Sequence, residues 1–245
     1  MLTTFFLLFG LTAFFIIVGR IVAGKKGMII AFILAVVMNF ATYWFSDSLI
    51  LTAYSAQPVP AGHRLEKITH DLARKAGLPL PKAYVLPSRS PNAFATGRNP
   101  EHAAVAATQG ILDMMNDDEL AAVMAHEMGH VKNYDILTGS VAASISGAVM
   151  ILSRMALFFG GNSRASFGKR LAVSILAPVA ATVITMAISR EREYKADEFS
   201  AKLTGHPEYL AAALLNLERG VQRAPMEDHS PQTAHMFIVH PFSGV

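Results

Sequence analysis

Two uninterrupted apolar runs open the chain, Leu2–Val18 and Met28–Phe45, and neither contains a charged residue. A helix that is apolar all round must be buried, either in a large core or in lipid. A bilayer core of about 30 Å takes about 20 helical residues. Gly19, Ile21, Val22 and Ala23 extend the first run to that length. A cleaved signal peptide would carry a basic residue before its apolar core and a small-residue cleavage site after it. Nothing basic precedes Leu2, and Arg20, Lys25 and Lys26 follow the run. Residues 1–50 therefore read as an uncleaved transmembrane hairpin with the lipid bilayer as partner. Tyr43 and Trp44 close the second run, where aromatic rings suit the headgroup level.

Two more apolar stretches follow much later. Leu137–Ser153 is softened by Thr138, Gly139, Ser140, Ser144, Ser146 and Gly147, and Leu171–Ile188 carries Pro178 at its middle. Small and hydroxylated residues are usual where membrane helices pack closely. Residues 137–188 are thus expected to form a hydrophobic helical pair that spans or dips into the bilayer. Only 16% of the 245 residues are charged, against about a quarter in soluble domains, which agrees with a membrane protein. The chain has no cysteine, which excludes disulfides and thiolate-ligated metals. Its net charge of +3 argues neither for nor against a nucleic-acid partner, and none is expected.

The polar stretch between these pairs has ordinary soluble character. His63–Ala76 places Leu65, Ile68 and Leu72 at helical spacing, and Pro79 and Pro81 end it. Ala83–Leu86 and Ala93–Thr96 read as short strands, and Gly97–His102 as a turn leading into a returning strand, Ala103–Leu112. Asn116 and Glu119 have the spacing of a capping box, with acidic residues in the first turn of the helix it opens.

That helix carries His126-Glu127-Met128-Gly129-His130. Imidazoles at i and i+4 share one helix face and can grip one metal ion, while Glu127 reaches a water activated there. A catalytic zinc keeps three protein ligands and an open position. A third histidine six residues on is ruled out, because that position is Ile136. Immediately after the fourth run, Glu193 and Asp197 stand at i and i+4, so Glu193 can bind the metal while Asp197 accepts a hydrogen bond from a ligating imidazole and fixes its tautomer. Spacing favours Glu193 over Glu191 and Glu198 without excluding them. Residues 51–136 and 189–245 are then two halves of one metal-binding domain.

Three motifs make the chain recognisable: Asn-Ala-Phe-Ala-Thr-Gly at 92–97, His-Glu-Met-Gly-His-Val-Lys-Asn at 126–133, and Ser-Arg-Glu-Arg-Glu-Tyr-Lys-Ala-Asp at 189–197. They resemble the HtpX family of membrane zinc endopeptidases, related to the CAAX prenyl endopeptidases. The resemblance implies one zinc per subunit on His126, His130 and Glu193, with Glu127 as the catalytic carboxylate. It also implies a mainly α, α+β fold with a zincin-like domain, a small β-sheet and helical hairpins in the membrane. Polypeptide substrates, misfolded membrane proteins among them, and a cytoplasmic catalytic domain on the bacterial inner membrane are further implications. Asn92, Ala93, Phe94 and Ala95 form a candidate strand for main-chain pairing with an extended substrate. The family's Thr-His-Pro-Pro element is missing from the last residues, His240-Pro241-Phe242-Ser243-Gly244-Val245. Either the chain is cut short or the element is lost. A lost element would weaken transition-state stabilisation and leave a catalytically impaired zinc-binding scaffold as the alternative reading.

Overall fold

The computed structural model describes residues 2–142, 190–223 and 238; the third apolar run beyond Ala142 and all of the fourth lie outside them. Helix α1 (Leu2–Trp44) carries 43 residues. As a straight rod it would hold residues 8 and 39 about 46 Å apart. Instead Asn39 Nδ2 donates to Leu8 O at 3.3 Å and to Thr12 Oγ1 at 2.8 Å, so the two arms lie side by side. The reversal falls at Gly24, whose φ of +61° costs a residue without Cβ little. Among the described residues one stretch, Gly24–Trp44, is long and apolar enough to cross a membrane, and Thr4–Ile17 is a shorter apolar helix.

Helix α2 (Ser46–Ala53) follows and delivers the chain to a four-stranded sheet. The strands are β1 (Gln57–Pro58), β2 (Lys82–Leu86), β3 (Ala93–Gly97) and β4 (Ala103–Thr108), in the order β1-β2-β4-β3. β2 and β4 run parallel, and the outer strands are antiparallel to their neighbours. The two-residue period of the strands sorts their side chains onto two faces. Ala93, Ala95, Ala103, Val105 and Ala107 join the main core, while Phe94, Ala104, Ala106 and Leu86 pack under Ile50, Leu51 and Tyr54. The sheet is therefore covered on one side by α2 and its end, and its other face joins the main core.

Helix α3 (Arg64–Ala76) has the expected limits and is capped by the His63 side chain, which accepts from the Leu65 N–H. Its Arg64 donates to Leu112 O at 2.8 Å and Met115 O at 2.7 Å, tying α3 to the entry of the metal helix. The strand expected over Ala103–Leu112 stops at Thr108. The Thr108 hydroxyl accepts from the Ile111 N–H at 3.2 Å and starts a short helix, α4 (Gln109–Met114), instead. A Thr competent to cap a helix outweighed weak alternation. Helix α5 (Asp117–Lys132) opens with the full capping box of Asn116 and Glu119. A helical stretch over 135–142 follows it. Then come α6 (Arg190–Thr204) and α7 (Pro207–Arg223). From α7, Leu210, Ala213 and Leu217 enter the main core, and Asn216 donates to Glu119 at 2.9 Å.

Candidate metal centre

Helices α5 and α6 lie antiparallel in close contact, and the reason is a pair of small residues. A Cβ on Gly129 would stand 2.9 Å from Ala196 Cα, so only glycine admits this approach. One turn away, Ser200 Oγ donates to Ala122 O at 2.7 Å. The helices are thereby fixed in a register that faces His126 and His130 toward Glu193 and Asp197.

The two imidazole Nε2 atoms are 3.2 Å apart, and Glu193 Oε2 lies 3.5 Å from that of His126 and 3.7 Å from that of His130. Three donors around one zinc at about 2.05 Å in tetrahedral geometry stand about 3.3 Å apart, so this triangle fits the ion. Each ring is held from behind. His126 Nδ1 meets Asp197 Oδ1 at 2.9 Å, and His130 Nδ1 meets Asp135 Oδ2 at 3.3 Å. A carboxylate on Nδ1 keeps the proton there and leaves the Nε2 lone pair for a metal. His126, His130 and Glu193 form the group among the described residues that could hold an ion.

The electrostatics match a site built for a cation. Burial would lower the pKa of His130, but the carboxylates of Asp135 and Glu193 outweigh it and push it up to about 10. His126 is likewise raised, with burial opposed by Asp197 and Glu193. Burial would raise Glu193, yet the two imidazoles hold it well below the usual carboxylate range. Glu127 behaves differently: burial dominates and pushes its carboxyl up, against the pull of the histidines and of a hydrogen bond from the Ala95 N–H. A carboxyl with a raised pKa beside a cation site is suited to taking up and giving back a proton.

The structure thus brings His126, Glu127, His130, Glu193 and Asp197 together. It treats the four strand residues less uniformly. Asn92, Ala93, Phe94 and Ala95 are all buried. The pairing of Thr108 N–H with Asn92 O at 2.9 Å turns the main-chain groups of Ala93 and Ala95 away from β4. Ala95 N–H goes to Glu127, and Ala93 O accepts from the Ile238 N–H at 3.4 Å. The Phe94 ring lies on the opposite face of the sheet, 5.8 Å from Tyr54, so its side chain does not reach the metal triangle.

Sequence reasoning missed Asp135 and its neighbour Arg192, whose Nε is 3.8 Å from Asp135 Oδ1. The available signal was an acid five residues after His130, beyond the helix end. Helical periodicity cannot place such a residue, because Tyr134 turns the chain with a φ of +60° first.

Two imidazoles on one turn, a carboxylate from a second helix and a buried acid alongside define a metal-dependent hydrolase site. The chain belongs to peptidase family M48, whose model matches residues 61–244. It is 49% identical to the protease HtpX homolog of Sulfurovum sp. (strain NBC37-1), over 98% of this chain and 89% of that one. It is 51% identical to the homolog of Desulfatibacillum aliphaticivorans, over 97% and 80%. It is 47% identical to that of Pyrococcus furiosus, over 96% and 84%. Among solved structures, S. mikatae Ste24p shares the fold with a TM-score of 0.53 at 24% identity; the match covers 83% of this chain and about half, 53%, of Ste24p.

Proposed function

We propose that this protein is a membrane-anchored zinc endopeptidase of the inner membrane. Its catalytic half faces the cytoplasm, and its substrates are polypeptides, misfolded or damaged membrane proteins among them. The observation that carries the reading is the donor triangle of His126, His130 and Glu193, each imidazole backed by its own carboxylate. A zinc ion held there would supply Lewis acidity to the scissile carbonyl and acidity to the attacking water.

The chain's own residues do the rest. Glu127 takes the proton of the attacking water on its carboxylate and returns it to the departing amine nitrogen. The Ala95 N–H holds that carboxylate in place before substrate arrives. Asp197 and Asp135 keep the imidazoles in one tautomer. An extended substrate would run along β3, using main-chain groups of Ala93 and Ala95 on the side away from β4 and displacing the Ile238 contact. The carboxylate of Glu127 would then pass from Ala95 to the reacting water.

The test is cleavage of an unstructured protein by the full chain, with and without a chelator, for wild type and Glu127→Gln. Chelator-sensitive cleavage that falls by at least about a hundredfold in Glu127→Gln, with zinc retained, is the expected result. Zinc retention without any cleavage by wild type would replace the protease reading with the scaffold.

A further inference from the structure

The position of Trp44 fixes a height. Gly24–Trp44 is 21 residues long. At 1.5 Å per residue that is about 31 Å, the thickness of a bilayer core, which sets Trp44 at the headgroup level. Phe45 and Leu49, next along the chain, are exposed on the same end of the hairpin. The catalytic domain is fastened directly to this level. Arg98 lies with its guanidinium 4.6 Å over the Trp44 ring, and its Nη1 donates to Trp44 O at 3.3 Å. Arg98 follows β3 without a linker, and Phe94 of β3 packs on Tyr54 from the end of the same anchor. Arg98 stands three positions after Ala95, the residue that touches Glu127, so the chain between them spans at most about 10 Å.

We propose that these contacts act as a ruler holding the reacting centre at the membrane surface, so that the enzyme selects peptide bonds immediately flanking a substrate's transmembrane helix. The inference rests on the protease reading above and adds its substrate class. A bond carried tens of ångströms above the bilayer on a stiff spacer cannot reach Glu127, because effective concentration vanishes when a linker cannot span two sites.

Two measurements on the full chain test it. Trp44 is the sole tryptophan, so its fluorescence in lipid vesicles reports depth directly. Lipids brominated near the headgroup should quench it more than lipids brominated near the chain ends, and the reverse order would overturn the ruler. The second uses one cleavable peptide joined to a single transmembrane helix by two residues or by sixteen prolines, a stiff spacer of about 50 Å. In vesicles the near reporter should be cut at least about tenfold faster than the far one. The same peptides without the anchor should be cut at equal rates in detergent. Equal rates for the anchored pair in vesicles would overturn the ruler and leave the protease reading standing. No cleavage of the unanchored peptide would overturn the protease reading, and this inference with it.

Discussion

The N-terminal hairpin and the α5–α6 pair are both two helices side by side, yet they are held together by different physics. In α5–α6 the apolar and small residues face inward: Val123, Met124, Ala125 and Ala196 have no exposed surface. In the hairpin Phe9, Ile33 and Phe40 are 63%, 55% and 62% exposed. Burial from water stabilises the first pair. Lipid would offer the exposed side chains of the second an apolar surround, leaving its arms to depend on close fit and on a few polar contacts such as Asn39 to Thr12. One pair uses its packing to bring the candidate metal ligands together, and in the ruler proposed above the other sets a height.

The sharpest way to break this contrast is a glycine in each pair. Gly129→Leu drives a side chain into Ala196 and should cost about 1–3 kcal/mol with loss of metal binding, measured by thermal unfolding and metal content. Gly10 meets nothing within 4 Å, so Gly10→Leu should leave both unchanged. Next come the carboxylates behind the histidines. Asp197→Asn and Asp135→Asn should each weaken zinc affinity by about 10–100-fold in competition with a chelator. An unchanged affinity in Asp135→Asn would remove that residue from the site.

A pH series sharpens the same point. The raised pKa of His130, about 10, means that its protonated form stabilises the metal-free fold below 6.5, and that this contribution is lost as pH rises toward 10. Metal takes the place of the proton, so the gain in Tm on adding zinc should grow from about pH 6.5 to about pH 9. A gain that shrinks over this window contradicts the assigned ligands. Smaller still, Asn116→Ala removes the cap of α5 and should cost about 1 kcal/mol. Asn39→Ala in the hairpin should cost about 0.6 kcal/mol in lipid or detergent.

Local signals carried much of this architecture. The limits of α3, the capping box of α5 and the turn between β3 and β4 follow from caps, prolines and periodicity that act over a few residues. The metal residues of α5 were legible because i and i+4 on a helix is itself a geometric statement. Pairings between distant segments were not. The parallel alignment of β2 with β4, the two-residue strand β1 and the side of the sheet taken by Phe94 depend on how α2 lands, which no local pattern encodes. Asp135 was hidden for a related reason, since a turn at Tyr134 separates it from the helix whose histidine it holds.

The central claim is the convergence of Glu193 with His126 and His130, and zinc content per chain after dialysis tests it most directly. The account predicts one zinc for wild type and for Glu127→Gln, and a fall below about a tenth of that for Glu193→Ala, since loss of one of three ligands removes the site. Full zinc retention in Glu193→Ala would contradict it.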